Sequence, residues 1–315
     1  MTGIQIQDAP VGNPIRTMVN ARDRDAVLAV IIGTEGPSYR PLGEMMAVFQ
    51  DGQRVGSLSS GCIESDLALH AKTALASGQP VRLRYGTGSP FVDIQLPCGG
   101  GLEVLLLPRP NPKILAALAA AQAGRTAKTL IIDPETGDLD LAAAGDTGWQ
   151  GARFLVRQNP DLFFHIFGKG PEASTFAGLV RSAGFSGVLI SPDPETLGFG
   201  TAAGCETRQI KSAEFPRDLR VDTYSAIVLF FHDHEWEPPI LAQALASDAF
   251  YIGAQGSQRA RDTRLAALED LGVSAARLDR LRGPIGLVPS ARDARTLAVS
   301  VLAEVLQMAQ VTRQE

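Results

Sequence analysis

Residues 162 to 193 limit the fold more than any other part of the chain. The apolar run "LFFHIFG" leads directly into Gly168-Lys169-Gly170-Pro171-Glu172-Ala173. A segment with helical spacing follows, and a second apolar run, "SGVLISPD", ends on Asp193. Strand, glycine turn, helix, strand is a βαβ unit, and G-x-G-x-x-A at its first turn is the dinucleotide fingerprint. Each position has a physical reason. Gly168 permits the tight turn, Gly170 lets backbone approach a pyrophosphate, and Ala173 is small enough for close helix–strand packing. Pro171 suits a first helical turn, where its missing N–H costs nothing. Asp193 stands where an acid would read a ribose hydroxyl. Further strands in "DTYSAIVLFFH" and "AFYIGA" alternate with helices expected at 238–247 and 257–271, which extends a parallel sheet.

A single Rossmann-type unit does not use up 315 residues, so two domains of about 150 residues each are expected, 1–158 and 159–315. In the first half, "AVLAVIIGT" reads as a buried strand and "EGPSYRPLGEMMAVF" as a loop followed by a strand. A helix is expected over 62–76, and "PVRLRYG", "VDIQLP" and "LEVLLLP" read as further strands. After 110 come a helix, the strand "TLIID", a "DPETGD" turn and a polar exit through "RQNPD", read as the linker. The fold class expected is α/β: an N-terminal mixed α/β domain plus a C-terminal Rossmann-like doubly wound parallel sheet.

Charge and cysteine content narrow the function classes. A net charge of −5 without a long basic run argues against nucleic acid and anionic membrane surfaces as partners. No stretch approaches the roughly 18 uninterrupted apolar residues of a membrane span. The first residues lack a signal peptide's basic and apolar regions, so the expected location is a bacterial-type cytoplasm. Cys62, Cys98 and Cys205 are odd in number and far apart, which suits reduced thiols better than a disulfide framework.

Two of these thiols stand in special surroundings. Cys62, in "GSLSSGCIES", falls at an expected helix start, where free N–H groups and the helix dipole favour a thiolate. Glu64 and Asp66 oppose that by like charge, and a buried structural cysteine fits the same residues. Cys98, in "LPCGGG", has little side chain around it, so it suits either a reachable thiol or a small residue entering a strand. Cys205 has no comparable context. Arg40, Ser57, Ser59, Ser60, Gly61 and Gly99 are further candidates for ligand contacts. His232-Asp233-His234 at a strand's carboxyl end can be a metal site or a hydrogen-bonded loop. Arg259, Arg261 and Arg264 can clamp a phosphate or form a solvated helix face, and His70 is expected on a solvated helix face.

These segments taken in order resemble the XdhC/CoxI family, the accessory proteins of xanthine dehydrogenase and related molybdenum hydroxylases. The resemblance rests on "SYRPLGEMMAV", "GSLSSGCIES" and "LPCGGGLEVLL" in the first half. In the second it rests on "GKGPEA", "FFHDHEWE", "YIGAQGSQRARDTRL" and "GPIGLVPSARDARTLAVSVLAEVL". It implies a homodimeric maturation factor rather than an enzyme. Such a protein binds molybdenum cofactor (molybdopterin), supports its sulfuration by a cysteine desulfurase, and delivers it to an apo xanthine dehydrogenase-type molybdoenzyme. Because both thiols lie in glycine-flanked turns, Cys62 stands at an expected helix start and both match cysteine motifs of the family, Cys62 and Cys98 are expected to converge on one pocket that faces the carboxyl edge of the Rossmann sheet and to hold the cofactor through its molybdenum or sulfur. Cys sulfur is a soft donor suited to that metal. A nucleotide at the Rossmann turn, an NAD(P)-dependent oxidoreductase and a nucleotide-sensing binding module stay open as alternatives. The apolar closing helix, expected over 290–308, offers a dimer contact.

Overall fold

The computed structural model describes residues 12–59, 61, 63–89, 96, 99–232 and 235–314, with side chains as far as 310. The chain divides into two compact units, Met1–Pro160 and Asp161–Glu315.

In the first unit the elements are α1 (Pro14–Asn20), β1 (Ala26–Glu35), β2 (Met45–Phe49), β3 (Arg54–Val55), α2 (Glu64–Ser77), β4 (Val81–Gly86) and β5 (Gly101–Pro108). They continue with α3 (Pro112–Ala123), β6 (Lys128–Ile132), β7 (Leu139–Ala143), β8 (Gly148–Gln150) and β9 (Arg153–Gln158). Strands β3-β2-β1-β5-β4 form one antiparallel sheet and β7-β6-β9-β8 a second. The central strand β1 is buried on both faces, which is why its sequence is a continuous apolar run and not an alternation. Val27, Ala29 and Ile31 share one core cluster with Leu67, Ala71, Ala74 and Leu75 of α2. Leu28, Val30 and Ile32 share another with Ile15 of α1, Leu115 and Leu118 of α3, and Leu130, Phe154 and Val156 of the second sheet. Burying one such Leu or Ile side chain contributes ~1.5–3 kcal/mol.

In the second unit β10 (Phe163–Gly168), α4 (Pro171–Ser182), β11 (Ser186–Ser191), α5 (Pro194–Ala202), β12 (Glu206–Gln209) and β13 (Ser225–Phe230) come first. Then follow α6 (Glu237–Ala244), β14 (Tyr251–Ala254), α7 (Gln258–Asp270), α8 (Ala275–Leu278), β15 (Leu281–Arg282) and α9 (Ala294–Gln314). All six strands pair in parallel, in the order β12-β11-β10-β13-β14-β15. Alternate residues of each strand face opposite sides. Phe164, Ile166, Val228 and Phe230 pack with α4 and α9, whereas Phe167, Ile227, Leu229 and Ile252 pack with α6 and α7. This is a doubly wound sheet, and its strand order reverses between β10 and β13, where such folds place their ligands. Tyr251 donates to Glu304 Oε1 at 2.9 Å and so ties α9 to β14.

Several expectations need correction. The helix read over 62–76 begins at Glu64 and ends at Ser77, and the closing helix begins at Ala294 and reaches Gln314. The stretch between the "DPETGD" turn and the "RQNPD" linker, read without a strand, contains β7 and β8, and β9 runs on into that linker as far as Gln158, because alternating residues such as Phe154 and Val156 fall into the core while Arg153 and Arg157 face solvent. The strand read in "VDIQLP" lies outside the described residues apart from Leu96. Helices α1 and α5 are additions to the elements expected, although each opens on an N-cap followed by proline, Asn13-Pro14 and Asp193-Pro194.

Candidate functional site

The start of α2 is organised by a carboxylate. Glu64 is buried, 6% exposed. It accepts hydrogen bonds from Ser57 Oγ (2.8 Å), Leu58 N (3.0 Å), Ser59 N (2.8 Å), Ser59 Oγ (2.6 Å), Gly61 N (2.9 Å) and Ile63 N (3.2 Å). Burial alone would raise its pKa, but these donors, with Ser59 foremost, hold it down to about 2. The loop is thus an anion-binding nest closed around an anion of its own chain.

That arrangement changes the reading of Cys62. The amides on either side of it, Gly61 N–H and Ile63 N–H, both donate to Glu64, so they are not free to stabilise a thiolate. Ser57 and Ser59, read as ligand contacts, are committed to Glu64 as well. What the nest does supply is a fixed backbone on both sides of position 62. Asp66, the other acid of the first turn, accepts from Tyr85 Oη at 2.6 Å and lies 3.4 Å from His70 Nε2. Burial, reinforced by that carboxylate, holds the Tyr85 hydroxyl far above its usual range. His70 is therefore half-buried against Asp66 and not simply solvated.

Cys62, Cys98 and Ser60 lie outside the described residues, and so does the expected convergence of the two thiols. Their neighbours are informative. A Cβ added at Gly61 or at Gly99 would meet nothing within 4 Å among the described residues outside its chain neighbours. Gly100 is different, since a Cβ there would stand 2.1 Å from the Pro37 carbonyl oxygen. The third glycine, Gly101, opens β5 opposite Glu35 and Gly86. Much of "CGGG" is therefore explained by close backbone packing. Arg40 is half-buried, and its Nε is buried with no hydrogen-bond partner among the described residues. Its charge opposes the burial that raises the pKa of Glu44.

At the Rossmann turn, Gly168 ends β10 with no room for a side chain, as a Cβ would lie 2.7 Å from the Phe230 carbonyl and 2.8 Å from Ala173 Cβ. Gly170 caps α4 at φ +95°, a conformation natural to glycine. Its N–H donates to Thr196 Oγ1 at 2.8 Å, and the Thr196 hydroxyl donates to Asp193 Oδ2 at 2.5 Å. Asp193 is the N-cap of α5, and the Thr196 hydroxyl and N–H hold its carboxyl below the usual range. A cleft of ≈ 450 Å³ opens here, lined by Gly170, Asp193, Thr196 and Phe199 among others.

Across the strand-order reversal, His232 Nε2 lies 3.1 Å from Gln255 Nε2 and 3.7 Å from Glu172 Oε2. Asp233 and His234 lie outside the described residues, and among those described no group of three or more His, Cys, Asp or Glu could hold a metal ion. Arg264, read as part of either a phosphate clamp or a solvated helix face, is buried instead. Its Nε and Nη2 donate to Glu237 at 3.0 and 3.1 Å, and Nη2 also donates to the Gln255 carbonyl at 2.6 Å. The signal was present in the sequence, since Arg264 stands one helical turn before the buried Leu268 and faces inward with it. Arg259 is exposed and Arg261 half-buried. Cys205 is half-buried beside a cavity of ≈ 340 Å³, with its thiol pushed up by burial. No helix among the described residues is long and apolar enough to cross a membrane.

A mixed α/β unit with a carboxylate-centred cysteine loop, followed by a doubly wound Rossmann unit, defines a two-part class of protein. Comparison with known proteins supplies the family. The family described as XdhC and CoxI matches residues 20–86, and the XdhC Rossmann domain matches residues 164–305. The molybdenum cofactor insertion chaperone PaoD of Escherichia coli (strain K12) is 35% identical over 283 residues, covering 90% of this chain and 83% of that protein. A protein of Bacillus subtilis (strain 168) described as a probable xanthine dehydrogenase component is 24% identical over 342 residues, covering 94% and 98%. A crystal structure described as a xanthine dehydrogenase from Bacillus halodurans shares the fold with a TM-score of 0.78, at 23% identity and covering 94% of this chain and 95% of that one. The chain belongs to the XdhC and CoxI family.

Proposed function

We propose that this protein binds molybdenum cofactor as cargo and delivers it to an apo xanthine dehydrogenase-type molybdoenzyme. The observation that carries this reading is the 35% identity, across 90% of the chain, to a relative named as a molybdenum cofactor insertion chaperone. The geometry supports it in two places. No described side chain crowds Gly61 or Gly99, the glycines next to the two soft donors in sequence, as a Cβ at either would meet nothing within 4 Å. The nest around Glu64 fixes the backbone flanking Cys62, so that a donor there is presented without a large loss of loop entropy on binding.

In this reading Cys62 and Cys98 hold the cargo at its metal, and Ser60, Gly61, Gly99 and Arg40 surround it. A cysteine desulfurase supplies sulfur while the cargo is bound. The protein works as a homodimer in the cytoplasm. The turn formed by Gly168, Gly170 and Ala173, together with Asp193, is a second ligand element. The test is a transfer assay: purified protein carrying cofactor is mixed with a cofactor-free molybdenum hydroxylase, and the hydroxylase activity that appears is followed. Activation proportional to the carried molybdenum is expected, and no activation above that given by free cofactor would reject the role.

A further inference from the structure

We propose that the cleft beside the Rossmann turn takes an uncharged aromatic heterocycle bearing amino or hydroxyl donors, and grips it by its ring and donors instead of by phosphate. This deepens the reading of the turn as a ligand element and makes no use of the cysteines.

Three features remove the usual phosphate site. The Gly170 N–H, which would face a pyrophosphate, is spent on Thr196 Oγ1 at 2.8 Å. The next residue, Pro171, has no N–H to offer. The carboxylate of Glu172 stands over the turn, its Oε2 being the nearest atom, at 3.6 Å, to where a Gly170 side chain would begin. Asp193 and Glu195 line the cleft with no Lys or Arg among its lining residues, and Glu172 stands beside the turn, so the carboxylates disfavour a polyanion.

What the cleft offers is of another kind. Its ≈ 450 Å³ falls within the range of small-ligand sites. The ring of Phe199, 61% exposed, forms part of its wall and gives a face on which a heterocycle can stack. Ionised Asp193 and Glu195 only accept hydrogen bonds, and Ser174 and Thr175 add hydroxyls. Nucleosides and pterins share the matching chemistry, an aromatic ring with exocyclic amino or hydroxyl donors.

The test is calorimetric titration of the full-length protein at physiological ionic strength with adenosine, guanosine, cytidine, their 5′-diphosphates and neopterin. Binding of at least one uncharged probe is expected, and which one binds separates nucleoside from pterin. If a nucleoside binds, its diphosphate should bind no more tightly. Phe199→Ala should weaken the bound probe by about tenfold or more without lowering the melting temperature, since the ring is exposed. The proposal is overturned if a diphosphate binds tenfold tighter than its nucleoside, if Phe199→Ala leaves probe binding unchanged, or if no probe binds. Molybdenum carried by the same preparations reports the cargo role separately.

Discussion

Replacing Glu64 by glutamine tests how the cysteine loop is held. The carboxylate has six donors and a pKa lowered from 4.5 to about 2. A shift of that size corresponds to at most ~3 kcal/mol of stability, at about 1.4 kcal/mol per pKa unit. Because the folded-state pKa is depressed, this contribution is fully present above pH 4.5 and is lost as pH falls towards 2. Glutamine keeps the shape but loses the charge, and its NH₂ group faces N–H donors that need an acceptor. The first unit of Glu64→Gln should therefore melt ~6–12 °C lower at pH 7, at the ~2–4 °C per kcal/mol typical of domains of this size. Calorimetry at a series of pH values reads the effect. Trp149 in the first unit and Trp236 in the second, each kept in turn as the only tryptophan, assign the transition by fluorescence. The gap between wild type and variant should narrow as pH falls below 4.5. A gap that stays constant from pH 7 to pH 3, or a variant as stable as wild type at pH 7, would refute the argument.

Other outcomes follow from the same geometry. Glu237→Gln leaves the buried Arg264 guanidinium without its counter-charge and should cost about 3–5 kcal/mol, whereas the double replacement Glu237→Leu with Arg264→Met should recover most of it in chemical denaturation. Gly100→Ala, whose Cβ would meet the Pro37 oxygen at 2.1 Å, should lower the melting temperature well beyond Gly99→Ala, where the cost is only the ~1–2 kcal/mol of a left-handed backbone. Glu172→Gln removes a negative charge from the turn and should raise affinity for a nucleoside diphosphate, read by the same titrations, while leaving the uncharged probe unaffected. Light scattering at micromolar concentration should give twice the 33.4 kDa chain mass, and a monomer would remove the dimer from the account.

Much of this fold was legible because burial writes itself into periodicity. The βαβ unit from Phe163 to Ser191 is readable because its strands are buried on both faces and its turn needs Gly168 and Gly170. Strands β7 to β9 were hidden because they are short and partly solvent-facing, so their alternation is interrupted by glycine and polar residues that read as loop. Helix α5 was hidden by Gly198 and Gly200, the latter lying so close to Leu189 that no side chain fits. At the site, spacing could locate Cys62 near a helix start. It could not show that Glu64 takes the donors of that start, because the outcome depends on a loop folding back on the residue that follows it. The partnership of Arg264 with Glu237 joins residues 27 apart in sequence, beyond what helical spacing can reveal.

The central claim is that this chain carries molybdenum cofactor on Cys62 and Cys98, and its most direct test is the molybdenum and pterin content of protein purified from a molybdate-fed host. Metal analysis and pterin fluorescence after oxidation give both quantities per chain. Wild type should carry molybdenum and pterin in equal amounts, Cys62→Ser and Cys98→Ser should lose most of both at an unchanged melting temperature, and Cys205→Ser should match wild type. Wild-type protein without molybdenum and pterin, or cysteine variants that retain the wild-type ratio, would contradict the account.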